Sequence, residues 1–165
     1  AARDRHAGAQ GALPLNQPEQ PRAQSRPAAR LAAVQALYQR DMEGTAMPQL
    51  LHEFHNHRLG VLLDDDQYHD AEVSFFDDVV TGVDKRLGEI DGLISTKLAA
   101  GWTLERLDRP MRALLRAGTY ELIARADVPT GSVISEYVDV AKAFYAKRET
   151  GFANGLLDSI AKAVR

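Results

Sequence analysis

One stretch of this chain leaves little choice of local structure. Val73, Phe76, Val80, Val83, Leu87, Ile90, Ile94 and Leu98 recur at steps of three and four. That spacing lines one face of a 3.6-residue helix; a strand would bring like positions round every second residue. It predicts one apolar stripe along a helix of about seven turns, ended by Gly101 and Trp102. Gly82, Gly88 and Gly92 fall inside it, each costing about 1 kcal/mol relative to alanine. Close approach of another helix is the expected compensation. A long one-faced helix must bury its stripe against other elements, so its neighbours decide the fold class.

Those neighbours also read as helices. Leu31, Val34, Leu37/Tyr38 and Asp41/Met42 give a first helix with Pro27 in its first turn and a stop at Gly44. Leu50, Leu51, Phe54, Leu59, Leu62 and Leu63 suggest a second, followed by the acidic loop Asp64-Asp65-Asp66. Thr103 and Asp108 can cap two further helices, the second carrying Pro110, Met111, Leu114/Leu115, Gly118 and Leu122. Pro129 disfavours helix at Val128 and so separates that helix from the next, which carries Val133/Ile134, Tyr137/Val138, Val140/Ala141 and Phe144/Tyr145. A last helix, starting near Glu149 and Thr150, buries Phe152, Leu156, Ile160 and Val164. No segment shows the strict alternation of a half-buried strand. The expectation is an all-α chain of about seven helices. Residues 1–24, with Pro14, Pro18 and Pro21 and no apolar period, read as a flexible N-terminal tail before one domain over 25–165.

Composition excludes several functions. Among the 165 residues there is no cysteine. A disulfide scaffold, a thiolate zinc site and a cysteine nucleophile are therefore excluded together. No apolar run is long enough to span a bilayer, and the first residues lead into no signal core, so a cytoplasmic protein without membrane contact is expected. The formal charge of −3 is unevenly spread: the first 40 residues and residues 92–165 are net basic, and residues 41–91 are strongly acidic. Two basic ends that meet on one face could hold a polyanion despite the overall sign.

Motifs for chemistry are lacking. His52 and His55 lie three apart, whereas the zincin motif needs two histidines four apart with glutamate between, so a solvated helix face is the better reading. Asp64-Asp65-Asp66 lacks the alternating ligands of a calcium loop. There is no glycine-rich phosphate cradle and no nucleophile elbow. No catalytic residue, metal ligand or cofactor site is assigned.

The best signal is a basic aromatic stretch between the last two helices: Phe144, Tyr145, Lys147 and Arg148, with Lys142 before it and Phe152 and Asn154 after. Rings can stack on splayed bases, cations can meet phosphates, and an asparagine amide can pair with a base edge. Plain core packing remains the reading for at least one of Phe144 and Phe152. At the other end Arg26 and Arg30 share a helix face, and Arg22 can join them.

Three separated segments give these residues a family context. They are the run Arg30-Leu31-Ala32-Ala33-Val34-Gln35-Ala36-Leu37-Tyr38, the run Leu114-Leu115-Arg116-Ala117-Gly118-Thr119-Tyr120-Glu121-Leu122, and the closing Phe152-Ala153-Asn154-Gly155-Leu156-Leu157-Asp158. In order and spacing they resemble the NusB family of transcription antitermination factors, over about residues 25–164. The resemblance implies two small helical bundles packed at an angle, over about 25–101 and 102–165, with the long third helix between them. It implies binding of boxA-type single-stranded leader RNA together with NusE, a ribosomal small-subunit protein, and joint entry into an RNA polymerase antitermination complex during ribosomal RNA synthesis. It places an arginine-rich start of the first helix on RNA, here Arg22, Arg26 and Arg30. Tyr38 would serve the RNA face or a protein partner, and Met111, Arg112 and Arg116 would face the partner. The apolar surface also admits a homodimer. Two other readings stay open: the RNA-binding domain of a ribosomal RNA cytosine methyltransferase, and a helical protein-interaction module without RNA.

Overall fold

The computed structural model describes residues 19–59 and 69–165, with side chains from residue 26 onward apart from residues 58 and 69–71. Among the described residues there are seven α-helices and no strand. They are α1 (Glu19–Glu43), α2 (Met47–Glu53), α3 (His69–Lys85), α4 (Leu87–Lys97), α5 (Arg109–Ala124), α6 (Thr130–Lys142) and α7 (Lys147–Val164). A π-helical turn, Phe54–Arg58, continues α2, and a 3₁₀ turn, Leu104–Arg106, precedes α5. The all-helical expectation and its helix count are borne out.

Two predicted boundaries that rest on backbone chemistry hold. Gly44 takes φ +69° after α1, a left-handed value that suits glycine, and its N–H meets the Arg40 carbonyl at 2.8 Å. Pro129 is the extended residue before α6. Three expectations are corrected. α1 begins at Glu19, six residues inside the stretch read as a tail, so Pro27 lies within the helix and not in its first turn. The long third helix is interrupted at Arg86, whose φ −115° and ψ 25° are not helical, and splits into α3 and α4. At this kink Leu87 drops out of the stripe and is exposed, while Phe76, Val80, Val83, Ile90 and Ile94 stay buried. Finally, neither Thr103 nor Asp108 makes a side-chain cap bond.

The hub of the molecule is α5, which packs against α1, α3, α4, α6 and α7. Ten of its residues, Met111, Ala113–Leu115 and Ala117–Leu122, are buried. Helix α1 runs antiparallel to it: Arg30 meets Glu121 near one end and Asp41 meets Arg112 near the other. The α1 face toward the core is largely alanine, with Ala29, Ala32, Ala33 and Ala36 buried, and small side chains let the helix axes come close. The expected compensation for glycine appears at Gly82 alone: a Cβ there would sit 2.2 Å from the Tyr120 ring of α5. Gly88 and Gly92 have nothing within 4 Å of such an atom. At the far end of α7, the Arg165 guanidinium donates to the carbonyls of Glu121, Leu122, Arg125 and Val128. Of these, the Leu122 carbonyl is one that the end of α5 leaves without a helical partner; those of Glu121 and Arg125 also accept backbone N–H groups.

Three phenols donate to carboxylates inside this frame: Tyr120 to Asp78 at 2.7 Å, Tyr145 to Asp108 at 2.7 Å, and the fully buried Tyr137 to Glu121. Burial first, and then the neighbouring carboxylate, raises the pKa of each, pushing Tyr120 up to about 12. A group whose folded pKa exceeds its unfolded value gives its full stability below the unfolded value and loses it as pH rises through the folded one. Stability should therefore fall once pH passes about 10, the unfolded tyrosine value, with a slope near 1.4 kcal/mol per pH unit for each of the two buried phenols, Tyr120 and Tyr137, and less for the half-exposed Tyr145. Urea midpoints measured in steps across this range will show the decline, and Tyr120→Phe will make it shallower. A flat profile would contradict the assignment.

Candidate nucleic-acid interface

The linker between α6 and α7 is four residues long, and it puts the predicted aromatic and cationic side chains at the start of α7. Lys147 and Arg148 are not linker residues, as the sequence suggested, but the first two residues of that helix. Cations in a first turn work against the helix dipole, at a cost of about 0.3–1 kcal/mol each. Among the described side chains, Arg148 is the one arginine with no carboxylate, carbonyl or ring partner. Phe144 and Phe152 are 42% and 40% exposed, so the core reading of at least one ring is overturned for both. Tyr145 is half-buried, its ring 6.3 Å from that of Phe144 and its hydroxyl held by Asp108.

Helical phase then divides the set. Arg148 and Phe152, four apart, face a groove of about 480 Å³ bounded also by Leu98, Trp102, Arg106 and Met111. Lys147 and Asn154 face a second groove of about 560 Å³ between α6 and α7, with Ile134, Val138 and Lys142 across from them. Lys142 is exposed and sits 3.3 Å from Asp139. The predicted residues at this end thus flank the start of α7 on both sides.

The N-terminal arginines lie elsewhere. Arg30 is 3% exposed; its Nε and Nη2 donate to the Glu121 carboxylate at 2.9 and 3.0 Å, and its Nη1 to Glu136 at 3.3 Å. Its prediction as a phosphate ligand is corrected: the guanidinium is enclosed and already neutralised. Arg26 keeps partial exposure 3.6 Å from Glu72, with its guanidinium 4.4 Å from the Phe75 ring centroid. The Arg22 side chain lies outside the described residues. Arg30 pairs with α5 at Glu121, whereas Tyr145 pairs just before α5 at Asp108. The two predicted clusters are therefore roughly 20 Å apart along that helix, at 1.5 Å per residue. They do not form one compact patch.

Among the residues predicted to meet a protein partner, Met111 is 3% exposed and lies in the core, which corrects that expectation. Arg112 is 3.3 Å from Asp41, and Arg116 makes a two-pronged pair with Asp91 at 2.9 Å on both arms. Tyr38 is partly buried against the core. The His55 Nε2 lies 2.6 Å from Asp77, and no group of three or more potential metal ligands gathers among the described residues. Sequence reading passed over Trp102 and Arg106, although a lone tryptophan beside a glycine, with an arginine four positions on, was there to be seen.

This is a helical module whose exposed rings and cations suit recognition, with no catalytic constellation among its described residues. The NusB family model matches residues 27–162. The transcription antitermination protein NusB of Sphingopyxis alaskensis is 68% identical over 144 residues, which cover 87% of this chain and 97% of that protein. That of Novosphingobium aromaticivorans is 64% identical over 141 residues, covering 86% and 95%. A crystal structure of the antitermination factors NusB and NusE in complex with double-stranded RNA matches with a TM-score of 0.71 at 27% identity, over 84% of this chain and 97% of that one. The chain belongs to the NusB family of transcription antitermination proteins, which are not enzymes.

Proposed function

We propose that this protein binds a short boxA-type single-stranded leader RNA jointly with NusE, and so helps load an antitermination complex on RNA polymerase during ribosomal RNA synthesis in the cytoplasm. The observation that carries this reading is the unpartnered Arg148 beside the exposed Phe152 in the first turns of α7. An evolved helix start holds cations and exposed rings at a cost to itself, as functional sites do. The cations meet phosphates, the rings receive unstacked bases, and no bond is made or broken. The solved complex of a structural neighbour with NusE and RNA supports the choice of partners. No described helix is long and apolar enough to cross a membrane, which agrees with a cytoplasmic role.

Fluorescence anisotropy with a labelled boxA-type RNA, a scrambled strand and a duplex tests the reading, with and without NusE and at two salt concentrations. The boxA-type strand should bind best, NusE should tighten it, and salt should weaken it as counterions return to the phosphates. Equal and feeble binding of all three RNAs with NusE present would remove the proposal.

A further inference from the structure

Trp102 is 51% exposed, the most exposed of the large apolar side chains described. It is also the chain's single tryptophan. A half-exposed indole forgoes much of the burial that makes this residue valuable in a core. Its position is nevertheless fixed. Gly101, with φ +85°, turns the chain, and Arg106 Nη1 donates to the Gly101 carbonyl at 2.9 Å. The Arg106 guanidinium lies 5.0 Å from the Trp102 ring centroid, so one end of the aromatic surface already carries a cation. The two residues line the same groove as Arg148 and Phe152.

The acids in this groove say which part of a ligand enters. Asp108 and Glu149 also line it, so its charged side chains balance. A buried phosphate would meet two carboxylates as well as two guanidiniums. A base meets ring faces to stack on, and carboxylates that accept its amino and imino hydrogens. The cations at the rim stay available to the flanking phosphates.

We propose that Trp102, steadied by Arg106, is a second stacking platform, and that one unpaired RNA base enters the groove between the 3₁₀ turn and α7 to lie on its indole. This deepens the RNA-binding reading above and rests on it. It adds to the path on α7 a contact from the opposite wall of the groove.

The lone tryptophan makes the native protein its own probe. Unlabelled boxA-type RNA should quench Trp102 emission with the same midpoint that anisotropy gives for the labelled strand. Replacing one nucleotide at a time with an abasic residue should abolish the quench at a single position. Trp102→Ala should weaken binding about tenfold, within the range of one stacked base, while Trp102→Phe should recover most of it. Thermal unfolding of both variants separates lost contact from lost fold, and the native quench needs no variant. If RNA binds but leaves the emission unchanged, or if a folded Trp102→Ala binds as tightly as the native protein, the platform is overturned and the RNA reading survives. If NusE alone shifts the emission and no abasic position alters the RNA response, Trp102 is a protein contact and the inference again fails. If the native protein binds no RNA by anisotropy, both fall together.

Discussion

Arg30→Ala is expected to destabilise the fold by about 3–5 kcal/mol, the usual cost of leaving one partner of a buried ion pair behind. Glu121 is fully buried, and without Arg30 its carboxylate would keep only the Tyr137 hydroxyl as a strong donor. The Arg30 guanidinium also lies 5.0 Å from the Phe75 ring centroid, so one side chain on α1 ties together α3, α5 and α6. For a domain of this size that loss should lower the melting temperature by roughly 10 °C. Arg30→Met with Glu121→Leu and Tyr137→Phe should recover much of it, because apolar groups of similar volume can replace a buried ion pair at little net cost, and the third change removes the buried hydroxyl that would otherwise lose its acceptor. Urea unfolding of the single and triple variants measures this directly. An Arg30→Ala protein with the native urea midpoint would show that the pair holds nothing. The expected result has a practical consequence. RNA binding lost in Arg30→Ala would report a loosened fold rather than a missing phosphate contact, so the variant must be melted before it is titrated.

The opposite behaviour is expected at the start of α7. Phe152→Ala should cost about tenfold in affinity for boxA-type RNA, as for one stacked base, and leave the melting temperature nearly unchanged because the ring is 40% exposed. Arg148→Ala should weaken binding more evenly across RNA sequences and flatten the salt dependence by about 0.7 in log–log slope, one phosphate's share on a single strand. Lys162→Ala makes a suitable control: it is exposed near the far end of the same helix and paired with Asp158. It should change neither quantity. The same anisotropy titrations at several salt concentrations serve all three variants. If Phe152→Ala and Arg148→Ala both bind like the native protein, the α7 start is not the RNA contact.

These two sites mark the boundary of what could be read in advance. The helices were legible because helical period is local: the spacing from Val73 to Leu98 and the breakers Gly44 and Pro129 act within a few residues of themselves. The family was legible from three short segments, and the aromatic and cationic residues around the start of α7 from their residue types. The single-residue kink at Arg86 was not legible, since apolar spacing continues across it and only Leu87 drops out. Nor was the start of α7, because the expected boundary near Glu149 gave no weight to an uncapped turn at Lys147. Alanine hid the buried face of α1 in the same way, its small side chain giving a weak signal of burial.

By itself the sequence determined an all-helical chain of the NusB family with rings and cations near its C-terminal helix, but not that both phenylalanine rings stand exposed there. Only tertiary structure decided which cations are free. Arg26, Arg30 and Arg148 look alike in a list of residues, but Glu121 stands 91 residues from Arg30 and Glu136 stands 106. Whether a guanidinium faces water or a buried carboxylate depends on which helix crosses it, and no local pattern carries that information. Likewise, the joining of Trp102 to Phe152 across one groove, and the parting of Lys147 from Arg148 into two, follow from where α7 lands on α5. Packing fixes that placement by burying surface from distant parts of the chain together, so the same residues become a site or a strut only once the chain is folded.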